Sequence, residues 1–163
     1  MAPAETSRHP QLIRNAYATL LLPRRGRHSR PADFRRRRAG EREELIGTWL
    51  TQQADAHIRV AKCGKAMCGT VAWLKDAIDA KTGQPQADDK NPNPSLRSRK
   101  VVGIRIFAME QDASGAWTGG IYNADDGQTY KGRLVPRGES ELEVQGCAGA
   151  LCGSEVWTRA KGN

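Results

Sequence analysis

From Leu45 onward the chain is divided by turn residues every eight to twelve positions, and the short pieces between them alternate apolar with polar residues. No run reads as an amphipathic helix of useful length, and the rhythm is that of an antiparallel sandwich or barrel. Eight strands are predicted, at 46–52, 57–63, 68–75, 101–110, 116–124, 128–136, 141–147 and 153–159. Ser114-Gly115, Asp126-Gly127 and Arg137-Gly138 fall between strands, and Asp-Gly is a strong hairpin signal. All links but one are short, so each strand is expected to pair with its sequence neighbour. Gly103, Gly119, Gly120, Gly132 and Gly146 lie inside strands, where they would weaken a flat sheet but suit the coiling and bulges of a small closed barrel. The expected fold is therefore all-β: an eight-stranded antiparallel up-and-down barrel, either filled by side chains or hollow enough for one small ligand.

The long link runs from Asp76 to Lys100 and holds three prolines and four aspartates. Loops of this length in compact domains are commonly lids or solvated insertions, and both readings stay open. Asp88 and Asp89 beside Lys90 and Asn91 carry the residue types of a cation site without the spacing of a calcium loop.

The charge of +8 is confined to one end. Residues 1–40 hold ten arginines against Glu5 and Asp33, and the remaining 123 residues carry sixteen basic and sixteen acidic groups. A boundary is placed near Gly40 to Glu44, with 1–43 an Arg-rich, disordered tail and 44–163 the folded domain. No clear signal peptide is present, because PRRGRHSR follows the marginal apolar run AYATLLL where a cleavage site should stand. The tail is either a basic arm for anionic polymers or a start assigned upstream of the true domain. Its lack of interleaved aromatics favours the second, so nucleic acid is a partner only if the tail is genuine. No window approaches the roughly 18 apolar residues of a transmembrane helix.

Catalytic groupings are not found. His57 is the only histidine beyond residue 40 and is expected to face solvent. No serine sits in a nucleophile elbow and no glycine loop resembles a phosphate cradle. The expectation is a non-enzyme without cofactor or metal.

Several stretches together resemble the bacterial family called domain of unknown function 2147, whose structures are similar to lipocalins. They are GTWL at 47–50, the CG…CG hairpin at 63–69, VAWL at 71–74, NPNPSLRSRKVVGIRI at 91–106, WTGGIYNADDGQTYKGRL at 117–134 and VWTR at 156–159. The resemblance covers roughly residues 44 to 160 and implies a lipocalin- or calycin-like barrel with no established activity. Family members usually carry a signal peptide and are exported, a pattern from which this sequence departs. In lipocalins a G-x-W near the first strand is covered by an arginine of the last. The resemblance thus implies that Trp49 and Arg159 close one end of the barrel by a cation–π contact.

The cysteines stand in two similar frames, CGKAMCGTVAW from Cys63 and CAGALCGSEVW from Cys147. Four cysteines permit three pairings or a four-thiolate metal site. The strand count separates them, because the turn after the second strand and the turn after the seventh lie at opposite ends of a meander, roughly 20 Å apart. Disulfides need Cα atoms within about 7 Å, so the expected pairs are local, Cys63 with Cys68 and Cys147 with Cys152. The tryptophans five residues beyond, Trp73 and Trp157, are expected to reach equally far into the wall. Disulfides persist in oxidising compartments, which with the family pattern implies a periplasmic or secreted protein.

The functional expectation is a barrel that binds a small apolar or amphipathic ligand; the alternative is a cell-envelope interaction module with a solid core. Candidate ligand-binding residues are Trp73, Arg99, Trp117, Tyr122 and Tyr130, with the ligand entering under the 76–100 loop. Alternation places Trp117 and Tyr122 on opposite faces of one strand. The run TGGIY is expected to leave volume inside, and Arg99 to meet a carboxylate head group.

Overall fold

The computed structural model describes residues 43–161; the Arg-rich tail, apart from Glu43, lies outside them. Eight strands form one closed barrel in sequence order: β1 (Gly47–Leu50), β2 (Ala56–Cys63), β3 (Ala66–Leu74), β4 (Arg105–Gln111), β5 (Trp117–Asn123), β6 (Gln128–Pro136), β7 (Glu141–Ala148) and β8 (Leu151–Arg159). All neighbours are antiparallel, and the pairs Trp49 with Arg159 and Leu50 with Thr158 close the circle. Closure leaves no unpaired edge.

The strands fall where alternation puts them, with two corrections. Val101 and Val102 are not part of β4: Val101 NH bonds to Gln86 O, Gly103 NH to Val71 O, and regular pairing starts at Arg105. The segment VVGIRI has a strand's composition, but its first half is shared, Val101 bonding to the long loop and Gly103 to Val71 of β3, without a regular ladder. The other correction concerns the two cysteine frames. Cys147 pairs directly with Cys152 across a hairpin whose two turn residues are Gly149 and Ala150. In the β2–β3 hairpin the turn residues are Gly64 and Lys65, so Cys63 faces Ala66 and Cys68 faces Ala61. Each turn begins on a glycine of positive φ, +67° at Gly64 and +60° at Gly149, the conformation that two-residue hairpin loops demand of their first residue. The glycine stands one place earlier in the first frame, and the register shifts with it. Both disulfides form as expected, one diagonal with Cα atoms 5.8 Å apart and one directly opposite at 4.0 Å.

The frames diverge again at their tryptophans. Trp157 points inward and is 5% exposed, whereas Trp73 is 43% exposed. Ile58 pairs with Val71 but His57 with Trp73, so Ala72 is an extra residue that turns the end of β3 over. Trp73 then stands on the outer face against the half-buried His57, ring centroids 4.7 Å apart.

One end of the barrel is solid. Leu45, Trp49, Met67, Met109, Leu134 and Leu142 are essentially inaccessible, each worth roughly 1.5–3 kcal/mol of transfer free energy. Trp49 donates its Nε1–H to Leu45 O at 2.9 Å, and the Arg159 guanidinium lies 4.3 Å over its ring. Arg159 also donates to the carbonyls of Glu44, Ile46 and Glu139, which ties the entry of the chain and the β6–β7 turn to the last strand. Trp49 and Arg159 thus occupy the closing positions implied by the resemblance.

Candidate functional site

The other end of the barrel is hollow. A cavity of about 760 Å³ opens among the turns 51–55 and 124–127, the facing Gly146 and Gly153 of β7 and β8, and the long loop. Its apolar wall comes from inward positions of six strands, among them Ile58, Val71, Ile106, Ile121, Val144 and Trp157. Ile106 reaches it through a second bulge, since Gly69 pairs with Phe107 but Thr70 with Arg105. Gly146 and Gly153 face each other across β7 and β8 and both border the space.

The strand glycines divide by what their missing side chains leave room for. A Cβ at Gly69 would overlap the Phe107 ring, one at Gly132 would overlap Ile121, and one at Gly119 would press on Ala108 O and the Met109 sulfur. Gly69 and Gly119 make room for large side chains of the core, and Gly132 makes room both for Met109 of the core and for Ile121 of the cavity wall. At Gly153 a Cβ would meet nothing within 4 Å. The run TGGIY, expected to leave the interior empty, therefore serves the tight packing, and the glycines of β7 and β8 border the empty half.

The 76–100 loop is an ordered lid. It is braced by bridges pairing Ile78 with Pro85 and Ala87 with Lys100, and by a 3-10 turn at Pro94–Leu96 whose cap is Asn93. Its anchor is Asp88, fully buried. One carboxylate oxygen of Asp88 accepts from Tyr122 OH; the other accepts from Asn91 Nδ2 at 2.7 Å and from Arg99 Nε and Nη2, each at 2.9 Å. A buried carboxylate is tolerated when its lone pairs are so filled. Asn91 also donates to Tyr122 OH at 3.0 Å, and Lys90 Nζ donates to Asp125 O in the β5–β6 turn. Burial, then donation to Asp88, raises the Tyr122 hydroxyl above its usual pKa. Asp76, Gln86 and Val101 carry the lid to the cavity mouth.

The five candidate residues are dispersed. Tyr130 borders the cavity and donates its hydroxyl to Asp126. Tyr122, at the rim, joins β5 to the lid, while Trp117 belongs to the buried core. Trp73 is on the outer surface, and Arg99 is paired with Asp88, its guanidinium 5.9 Å from the Tyr122 ring. Val144, Glu155 and Trp157 also line the cavity, although none was expected there. Alternation along GSEVWTR does put Glu155 and Trp157 on one face, so that signal was available. The Trp157 Nε1–H donates to Glu155 Oε2 at 3.0 Å.

A family model described as "Uncharacterized protein conserved in bacteria (DUF2147)" matches residues 47–159. Among solved structures, protein HP1028 from the human pathogen Helicobacter pylori, described as belonging to the lipocalin family, is similar with a TM-score of 0.61 and 22% identity, over 72% of this chain and 83% of that one. At that identity the likeness concerns the fold. No curated protein matches the chain. The sequence motifs, the closed eight-stranded barrel and the family match agree: the chain belongs to the DUF2147 family and has a lipocalin-like fold.

Proposed function

We propose that this protein binds one small apolar or amphipathic molecule in the open half of its barrel, and that it acts by binding rather than catalysis. The observation that carries the reading is the cavity of about 760 Å³, a volume typical of small-molecule sites. Its apolar depth and polar mouth suit a molecule with a hydrocarbon part and a polar end. The lid adds support, because Asp88, Tyr122 and Asn91 hold an ordered loop beside an entrance that a solid-core interaction module would not need.

All four cysteines are in disulfides, and among the described residues no helix is long and apolar enough to cross a membrane. The disulfides support action in the periplasm or outside the cell. Native mass spectrometry of protein purified gently from its own host tests the function. The expected spectrum contains a species heavier than the polypeptide by one small molecule, which dissociates on collisional activation. Protein that carries no added mass and takes up none from a host lipid extract would favour the interaction-module alternative.

A further inference from the structure

We propose that the cavity selects amphiphiles with a cationic head and rejects fatty-acid-like carboxylates; this rests on the ligand-cavity reading above. The lining includes Asp55, Asp76, Asp125 and Glu155 and contains no Lys, Arg or His. That segregation is not inherited from composition, since residues 41–163 carry equal numbers of acidic and basic groups. Two cations of the neighbouring lid are already engaged: Arg99 with Asp88, and Lys90 with the Asp125 carbonyl.

Glu155 is the most telling of the four. It occupies the same inward face of β8 as Gly153 and Trp157, it is half-buried, and its Oε2 accepts from the Trp157 indole. Among the described residues no cation is paired with it. Nor do the acidic groups converge as a metal site would, since no group of three or more His, Cys, Asp or Glu among the described residues could hold a metal ion. They are spread over a wide mouth that leads to an apolar wall. A carboxylate head entering there would lose water and meet like charge with no guanidinium or ammonium to replace the lost hydration. An alkylammonium head would meet carboxylates on several sides while its chain lay along Ile58, Val144 and Trp157. Arg99, the residue expected from sequence to receive a carboxylate head, is committed to the lid.

The test uses three twelve-carbon probes below their aggregation limits: dodecyltrimethylammonium, dodecanol and dodecanoate, titrated at low ionic strength into the full chain and into Gly153→Phe, which sets a bulky ring on the cavity wall. Dodecyltrimethylammonium is expected to bind at least about tenfold more tightly than dodecanoate, as near-surface charge pairs of this kind permit. Its binding is expected to be lost in Gly153→Phe. Glu155→Gln keeps an acceptor for the Trp157 indole and is expected to shrink the gap several-fold, as is Asp55→Asn. Dodecanoate binding as tight as the cation's, and abolished by Gly153→Phe, overturns the charge inference while leaving the cavity reading standing. A preference unchanged in both Glu155→Gln and Asp55→Asn overturns its assignment to the mouth carboxylates. If no probe binds saturably, or binding is unweakened in a folded Gly153→Phe variant, the cavity reading fails and this inference with it.

Discussion

A methyl group added at Gly127 would overlap the carbonyl oxygen of Lys90, and the backbone there has φ +73°; one added at Gly153 would enter empty space. The contrast separates the two uses of small residues in this barrel. Gly127 lets the β5–β6 turn take a left-handed conformation and lets the lid lie against it, so both the turn and the lid resist replacement. Gly127→Ala is therefore expected to cost about 2 kcal/mol or more. Gly153→Ala is expected to stay within about 1 kcal/mol of the parent, since restricting the unfolded chain offsets any local loss. Urea denaturation of the two variants checks this directly. Equal stabilities would mean that the lid does not press on the turn as described.

The lid and the sheet are joined through titratable groups, so their union depends on pH. Tyr122 is raised above its usual pKa of about 10, first by burial and then by its bond to Asp88, and Tyr130 is raised chiefly by its bond to Asp126. The folded state holds these protons more tightly than the unfolded chain. Their contribution is complete below pH of about 10 and is lost as pH rises from there through the folded values. Carboxylates act in the opposite sense. Asp126 is lowered first by Tyr130, Asp112 by Ser114, Asp79 by the Thr82 backbone, and Glu143 by Gln145 and then Arg137. Their contribution is complete above pH of about 4 and is lost as pH falls through the lowered values. Thermal melting followed against pH is expected to show both declines, with the alkaline one reduced in Tyr122→Phe. An alkaline limb indifferent to Tyr122→Phe would contradict the role given to the lid anchor. At this scale the sequence is legible where periodicity is regular, as in β5 to β8. It misleads where one residue is inserted. The bulge at Ala72 cannot be read from VAWL, because alternation has no mark for an unpaired residue, and Trp73 turns outward in consequence. The glycine shift between the cysteine frames was visible in CGKAMC against CAGALC, although matched cysteine spacing hid its effect on register.

The barrel divides into a solid end, closed by Trp49 and Arg159, and an open end whose mouth the lid borders. Strand number, nearest-neighbour order, the separation of the disulfides to opposite ends and the end of the barrel to which the long loop belongs could all be read from the chain, because each follows from counting strands in a meander. The sign of charge at the mouth could not, since Asp55, Asp76, Asp125 and Glu155 come from four distant stretches that only closure brings to one rim. The central claim is that the open half is a ligand cavity, and a neutral apolar fluorophore such as N-phenyl-1-naphthylamine tests it without involving head-group charge. Titrated into the full chain, it is expected to bind saturably at one per barrel and to quench tryptophan emission, with both effects lost in Gly153→Phe while the circular dichroism spectrum is kept. Saturable binding absent from the parent protein, or present to the same extent in a folded Gly153→Phe variant, would contradict the claim.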